Sequence, residues 1–246
     1  MESAATVEKA IDVLFTLHAT AEPMGVTRLG EVLGLPKSSV HRLLAALTRR
    51  QLVERDSRGR YRTGIGLIAL GLGSLRGDPL VLAARPVLEA ESEALGETAF
   101  LVGLRAGELI VLDKAEGRGF LRAAPTLGAR IPLDCTAVGK LLRAFEVSES
   151  GSPPGGGVQA FGASDDGVRR RELERIRKLG YAESRAEWIP GLAVVAAPIR
   201  ASHRIQGALA IGAPSAQMEA LGFAQVGRRT ARAAAEIECR LQGDLQ

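Results

Sequence analysis

The stretch that decides the fold is LPKSSVHRLLAALTRRQLVERDSRGRYR, which runs from Leu35 to Arg62. Its apolar side chains repeat at the spacing of a helix with one buried stripe, formed by Val40, Leu43, Leu44 and Leu47. Pro36 suits the first turn of this helix, because its missing N–H would have no intrahelical partner there. The opposite side carries basic and hydroxyl groups, from Lys37, Ser38, Ser39, His41 and Arg42.

A hairpin is predicted directly after this helix. Leu52 to Arg55 and Arg60 to Thr63 have the composition of short strands. Asp56 to Gly59 can form the turn, since glycine supplies the backbone freedom that a tight hairpin needs. Strand side chains alternate between faces, so we expect Arg60 and Arg62 to share one face.

Two further helices are predicted before the stretch. Thr6 can cap the first, whose apolar stripe comprises Val7, Ala10, Ile11, Leu14 and Leu17. Thr27 can cap a second, short helix that ends at Gly34 in the left-handed conformation. The inward-facing residues of the second helix are Leu29, Val32 and Leu33. Three helices followed by a two-stranded wing are the elements of a winged helix-turn-helix.

Positive charge is concentrated in the same region. Residues 35–63 contain eight basic and two acidic side chains, whereas the whole chain has a net charge of +4, so the remainder is net negative. Charge alone fits a solvated face as well as a polyanion site. The major groove of DNA admits one α-helix, and the second helix of a helix-turn-helix meets the bases with its N-terminal part. The predicted DNA-binding residues are Thr27, Lys37, Ser38, Ser39, His41, Arg42, Arg58 and Arg60.

Beyond the hairpin, the apolar residues follow a different spacing along the chain. A glycine-containing helix from Ile65 to about Gly77 is expected to need packing against another chain or domain, and a helix from about Leu80 to Leu95 follows. Downstream we predict strands at Thr98–Leu104, Glu108–Asp113, Gly119–Ala123, Leu192–Arg200 and Ile205–Gly212, and helices at Thr136–Phe145, Val168–Leu179 and Met218–Leu241. This order indicates an α+β domain around an antiparallel sheet. Residues 148–157 are predicted to form a surface loop.

Several functions are disfavoured by what the sequence contains. The longest apolar run is far shorter than the roughly 20 residues of a membrane span, and no secretion signal is visible, so we expect a cytoplasmic protein without a membrane partner. Cys135 and Cys239 are isolated, which predicts neither a disulfide nor a metal site, and no cofactor is indicated. Cys135 is open to two interpretations, a nucleophile or a small buried thiol, and the second is commoner. We expect no enzyme activity.

The sequence resembles the IclR family of bacterial transcription regulators over nearly its whole length. VTRLGEVLGLPKSSVHRLLAALTRRQLV and RYRTGIGLIALG are similar to the winged helix-turn-helix and linker helix of that family. GARIPLDCTAVGKLLRAF, IRKLGYAES, VVAAPI and GALAIGAP are similar to segments of its effector domain. The resemblance implies a DNA-binding domain over residues 1–64, a linker helix over 65–79 and a GAF-like effector and oligomerisation domain over 80–246. It also implies a homodimer or homotetramer.

The resemblance further implies a small-molecule effector, an organic acid or a more apolar metabolite. Carried over residue by residue, the effector pocket comprises Ala123, Ala137, Val138, Ser184, Val194, Ala210 and Gly212. These positions offer a single hydroxyl, and removing polar anchors favours a hydrophobic ligand or none. Two functions remain open. One is a regulator, with repression favoured, that reads a palindromic operator under effector control, and the other is a regulator whose C-terminal domain only oligomerises.

Overall fold

The structure is a computed structural model that describes residues 2–20, 22–105, 107–119, 125–145, 166–202 and 204–243. The chain divides into two compact units, Met1–Arg76 and Gly77–Gln246. Their elements are antiparallel sheets and packed helices, which confirms the predicted α+β class.

The described residues of the first unit form four helices and a hairpin: α1 (Glu2–Ala19), α2 (Val26–Leu33), α3 (Lys37–Arg49), β1 (Val53–Arg55), β2 (Tyr61–Thr63) and α4 (Ile65–Arg76). One apolar core holds α1, α2, α3 and the hairpin together. The predicted stripe of α3 is confirmed, since its four apolar residues are all buried. Pro36 immediately precedes α3, and its carbonyl accepts hydrogen bonds from Ser39 and Val40.

Both capping predictions for the first two helices are wrong. Helix α1 already begins at Glu2, so Thr6 lies inside it. Helix α2 begins at Val26 after Gly25, and no side chain caps it, which places Thr27 in its first turn. Val32 is exposed, contrary to the prediction, and so are Val7 and Ile11, which the sequence placed in the buried stripe of α1. The buried stripe of α2 follows Val26, Leu29, Gly30 and Leu33, and Val32 lies roughly 100° away from that stripe.

The predicted wing is confirmed with slightly shorter strands. β1 and β2 pair antiparallel, with Glu54 opposite Arg62. Met24 adds an isolated bridge to Tyr61, with two backbone hydrogen bonds of 2.8 Å. Gly59 has φ +78°, as the tight turn requires, and Gly34 ends α2 at φ +64°. The wing is therefore tied to the loop that precedes α2.

In the ranges that the structure describes, the second unit is a five-stranded antiparallel sheet with helices on both faces. Its elements are α5 (Pro79–Leu95), β3 (Thr98–Arg105), β4 (Glu108–Ala115), α6 (Ala137–Phe145), α7 (Asp166–Leu179), β5 (Ala182–Arg185), β6 (Leu192–Ala201), β7 (Arg204–Pro214), α8 (Ser215–Leu221) and α9 (Phe223–Gly243). The strand order is β4-β3-β7-β6-β5. Every described neighbour pair in this sheet is antiparallel.

The two faces of the sheet carry separate cores because strand side chains alternate. On one face, Leu101, Val195 and Ile211 pack with α5 and α9. On the other, Phe100, Ala196 and Ala210 pack with α6 and with Ile176 of α7. The second face is the one that contains the cavity described below.

Two predictions for the second unit need correction, and one strand was missed. The closing helix is divided at Gly222, whose φ of +82° ends α8 before α9 begins at Phe223. Strand β5 was not predicted. Gly119 belongs to no strand, and residues 120–123 of that predicted strand lie outside the described residues, as does the predicted loop 148–157.

No single helix in the described ranges is both long and apolar enough to cross a membrane. Only α4 and α5 taken together, as a broken pair, meet the criteria of length and composition.

Candidate functional site

The start of α3 presents the polar face that the sequence predicts. Lys37, Ser38, His41 and Arg42 are exposed, and Ser39 is half-buried. The side chains of Lys37, His41 and Arg42 have no hydrogen bond or ion pair to the described residues. The first N–H groups of a helix also have no acceptor inside the helix. This surface therefore offers cations and N–H donors to an external anion.

The tip of the wing is organised by Asp56. Its carboxylate accepts hydrogen bonds from the backbone N–H groups of Arg58 (2.9 Å) and Arg60 (2.8 Å). Its other oxygen pairs with the Arg60 guanidinium at 3.0 Å. The backbone hydrogen bond from Arg60 is the main cause that holds the pKa of Asp56 below its ordinary value. Arg60 is thus committed to the turn, while the exposed Arg58 side chain makes no ion pair with described residues.

The eight predicted DNA-binding residues therefore lie on three elements. Five of them share the N-terminal half of α3, Thr27 is exposed on α2, and Arg58 lies at the wing tip. Arg60 lies beside it but is half-buried. Arg28, exposed next to Thr27, was not predicted, although its position beside a predicted contact was visible in the sequence.

A narrow cavity lies between the second face of the sheet and the start of α6. Its volume is about 20 Å³, room for about one water molecule. Phe100 of β3 and Val194 of β6 contribute from the sheet, and Ala137 and Val138 from α6. The remaining lining residues are Pro125, Ile131, Thr136, Ser184, Trp188, Ile189 and Leu192.

Four of the predicted effector residues line this cavity, namely Ala137, Val138, Ser184 and Val194. Ala210 and Gly212 do not line it, although both lie on the neighbouring strand. Gly212 pairs with Val194 and Ala210 pairs with Phe100, so they share the face of the sheet that holds the cavity. Ala123 lies outside the described residues.

The sequence reasoning missed the aromatic and aliphatic part of the lining. Phe100 could have been found, because alternation along β3 places it on one face with Val102. Trp188 is the single tryptophan of the chain and lies next to Pro190 and Gly191. A lone aromatic at a turn gives no indication of which cavity it lines.

The polar groups of the cavity are few and mostly occupied. Thr136 caps α6, since its Oγ1 accepts the Gly139 N–H at 3.1 Å and donates to the Pro132 carbonyl at 2.7 Å. Ser184 is buried, and its Oγ donates a long hydrogen bond of 3.4 Å to the Cys135 carbonyl. The N–H groups of Ala137 and Val138 begin α6 and have no intrahelical acceptor. The cavity thus combines an apolar lining with one helix start and one hydroxyl.

Within the described part of the chain, no three His, Cys, Asp or Glu side chains are close enough to hold a metal ion. Cys135 is half-buried, and Cys239 is exposed on α9.

The fold and these surfaces define a class of protein: a winged helix-turn-helix joined to an α+β domain that encloses a small apolar cavity. Family comparison agrees with both parts. Residues 6–57 match the IclR helix-turn-helix domain, and residues 73–239 match the C-terminal domain of bacterial transcriptional regulators of the IclR type. The chain belongs to the IclR family and is a DNA-binding transcriptional regulator; the family is one of regulators, not of enzymes.

Named relatives extend over almost the whole chain. A probable transcriptional regulator, SauR of Cupriavidus necator, is 29% identical and covers 90% of this chain and 92% of its own. The transcriptional repressor AllR of Escherichia coli is 25% identical, with 98% and 91% covered. The crystal structure of an IclR homologue from Microbacterium hydrocarbonoxydans, complexed with 4-hydroxybenzoate, has a TM-score of 0.78 at 22% identity and covers 97% of this chain and 99% of that one.

Proposed function

We propose that the protein is a repressor that binds a palindromic operator as a homodimer or homotetramer and releases it when a small effector enters the cavity of the second unit. The observation that carries the proposal is the unpaired basic face at the start of α3. A relative that is 25% identical over nearly the whole chain is named a repressor, which favours repression over activation.

The contacts with DNA follow from the chemistry of each side chain. Arg42 and Lys37 are long enough to reach guanine or a flanking phosphate, and His41 lies between them in sequence. Ser38, Ser39 and Thr27 suit phosphate oxygens, which the positive end of α3 also attracts. Arg58 reaches an adjoining phosphate from the wing. Because its guanidinium is held by Asp56, Arg60 contributes chiefly by shaping the wing tip.

Self-association is supported by apolar side chains that nothing in the first unit covers. No residue of α4 is buried, and Ile65, Ile68 and Leu72 lie along one side of this helix with more than half of their surface exposed. Val7 and Ile11 form a similar exposed pair on α1. A 12-residue helix with three glycines is marginal in water by itself. A second copy of the chain is the occupant that a two-fold operator requires.

The effector is a compact and largely apolar molecule with one anionic or hydroxyl group. The apolar lining supplies the burial energy, and the start of α6 beside Ser184 receives the polar end. A structural neighbour is complexed with 4-hydroxybenzoate, a compact apolar ring that carries a carboxylate and a hydroxyl, which supports a ligand with an apolar body and a polar end. Effector binding reaches DNA as a small change in the spacing of two recognition helices, which must meet major grooves about 34 Å apart.

Binding to the chain's own promoter fragment tests the DNA assignment. Loss of a base contact in Arg42→Ala should cost about 1–3 kcal/mol, and loss of a phosphate contact in Lys37→Ala should reduce the slope of log K against log salt by about 0.9. Fluorescence anisotropy at several salt concentrations measures both.

Lys9→Ala is the matched control, because Lys9 is an exposed lysine on α1 of the same unit. It should leave affinity and slope close to wild type. If Lys37→Ala and Arg42→Ala behave like Lys9→Ala, then α3 does not enter the groove.

Thermal unfolding tests the effector assignment against the alternative of a domain that only oligomerises. A ligand at 100 times its Kd stabilises the protein by about 2.7 kcal/mol. A panel of small aromatic and aliphatic acids, beginning with 4-hydroxybenzoate, should contain one that raises Tm and lowers operator affinity. A panel without any shift would favour the oligomerisation role.

A further inference from the structure

A buried lysine on α6 contacts the segment that forms the outer wall of the cavity. Lys140 of α6 is only 8% exposed. Its Nζ contacts Glu187 Oε1 at 2.7 Å, Glu172 Oε1 at 2.9 Å and the Glu183 carbonyl at 3.1 Å. The Nζ donates hydrogen bonds to the Glu183 carbonyl and to Glu187, and it forms an ion pair with Glu172. The lysine therefore connects α6 to three separate elements.

Glu187 belongs to the segment that separates the cavity from solvent. This outer segment, residues 186–191, connects β5 to β6. Trp188 and Ile189 line the cavity from within it, yet both remain partly exposed to solvent. The opposite walls, on the sheet and on α6, are buried in the core. The outer segment is therefore more exposed than the walls on the sheet and on α6.

The backbone of the outer segment has a turn point at each end. Ala186 has φ +58° and Gly191 has φ +81°, and only the glycine adopts this region without strain. The Ala186 N–H bonds the Leu192 carbonyl at 3.0 Å, which closes the segment into a loop. Between these points, the Glu187 carboxylate binds Lys140 and the nearby Arg185 N–H at 3.3 Å.

The cavity must widen before it can hold an effector. Small-molecule pockets usually measure about 300–1,000 Å³, whereas this one measures about 20 Å³. The sheet and α6 are packed into the core, so among the walls that the structure describes the outer segment is the one we expect to move. Its displacement breaks the contact between Lys140 and Glu187. Glu187 is exposed enough to be hydrated after this displacement, while Lys140 keeps Glu172 as a partner.

We propose that Lys140 is a positioning residue that latches the outer segment over the effector cavity through Glu187. The role of this latch depends on the proposed effector function, because the contact between Lys140 and Glu187 sets how readily an effector opens the cavity. Glu172 does not belong to the outer segment, so its contact compensates the lysine charge without holding the wall.

Trp188 makes the latch measurable without any ligand, since it is the single tryptophan of the chain and lies in the outer segment. Acrylamide quenching of its fluorescence reports how far the indole is exposed. Glu187→Gln removes one charge and keeps the side-chain shape. We expect it to raise the quenching constant about twofold by shifting the population toward the open segment. Lys140→Met should do the same.

Glu172→Gln is the decisive control, because it makes the same chemical change at the other partner of Lys140. It should leave quenching at the wild-type value, as should Lys178→Met, a lysine exposed on α7. Circular dichroism establishes that each variant is folded. If Lys140→Met unfolds, the comparison of Glu187→Gln with Glu172→Gln decides the matter alone. Equal quenching in these two variants overturns the latch.

Binding of 4-hydroxybenzoate, followed by stopped-flow Trp188 fluorescence, then tests the consequence. In Glu187→Gln the association rate should rise about threefold, because the open population is larger. An unchanged rate in a variant with raised quenching shows that the segment does not gate the cavity and overturns that role. A failure of the proposed effector function is distinguishable, since it leaves every protein without a 4-hydroxybenzoate signal while the quenching differences persist.

Discussion

Lys37 on α3 is exposed and makes no hydrogen bond or ion pair with the described residues, whereas Lys140 on α6 is buried and contacts two glutamates and a carbonyl. The difference follows from what each unit binds. A cation that meets a polyanion loses affinity if an internal ion pair must first be broken. A cation beside an apolar cavity must be neutralised locally, because burying a charge without a partner costs several kcal/mol.

The same contrast separates two described carboxylates whose pKa values are shifted, Asp56 and Glu97. Asp56 lies at the surface and accepts hydrogen bonds from the wing, which stabilise its charged form and lower its pKa. Glu97 is buried at the start of the sheet, and burial raises its pKa. In the first unit, the charged form of Asp56 is stabilised by hydrogen bonds at the surface. In the second unit, burial disfavours the charged form of Glu97.

The largest effect is expected where the second unit is most tightly packed. A Cβ on Gly139 of α6 would lie 1.9 Å from the Leu133 carbonyl oxygen. This is a backbone atom, so it cannot move away as a flexible side chain can. Gly139→Ala should therefore lower the free energy of unfolding of this unit by about 3 kcal/mol or more, as overpacking at a rigid site does. Scanning calorimetry of the full chain measures it.

Gly71→Ala provides the matched substitution in the first unit. Gly71 lies in α4 with no atom within 4 Å of the added carbon, so the methyl group should raise helix stability by about 0.5–1 kcal/mol. A loss of stability from Gly71→Ala that matches the loss from Gly139→Ala would break the contrast between an open helix and an enclosed one.

An intermediate effect is expected from a charge on the exposed apolar side of α4. Ile68→Glu should weaken self-association at least about tenfold, or 1.4 kcal/mol, since the carboxylate would be buried between two copies. Analytical ultracentrifugation gives the dissociation constant. Ser74→Glu adds the same charge at an exposed polar position of the same helix. Equal dissociation of the two variants would show that this side of α4 is not the interface.

The smallest effect concerns the two carboxylates. The Asp56 side chain should titrate below its ordinary 3.8 and Glu97 above its ordinary 4.5. Since the folded pKa of Asp56 is lowered, its contribution to stability is present above 3.8 and is lost as pH falls through the folded value. For Glu97 the sign is opposite. Its contribution to stability is fully present below pH 4.5 and is lost as pH rises through its pKa in the folded protein.

Carbon-detected NMR of the two carboxyl groups measures both midpoints directly. Glu97→Gln should be more stable than wild type at neutral pH, because the buried position no longer carries a charge. A Glu97 midpoint at or below that of Asp56 would contradict the contrast.

The first unit was largely predictable because its signals are local. The stripe of α3 and the turns at Gly34 and Gly59 each depend on residues that lie close together in the sequence. The errors there are also local in origin. Two threonines were taken as caps although the helices begin before them, and Val32 was counted as inward although the stripe of α2 is centred on Leu29.

The cavity was only partly predictable. Family resemblance supplied Ala137, Val138, Ser184 and Val194, which do line it. Phe100 and Ile131 are 31 residues apart, and Trp188 lies 57 residues beyond Ile131. No local pattern connects the three. Their meeting depends on the strand order β4-β3-β7-β6-β5, which sequence periodicity does not encode.

The sequence by itself determined the winged helix-turn-helix, the polar face of α3 and the antiparallel character of the second unit, because helix stripes, strand alternation and turn residues are short-range patterns. Tertiary structure alone decided which side chains enclose the cavity, that Lys140 is buried between Glu172 and Glu187, and that Arg60 is held within the wing while Arg58 is not. The first two depend on contacts between segments that are distant in sequence. The Arg60 contact depends on the geometry of the folded turn, since Asp56 lies only four residues away.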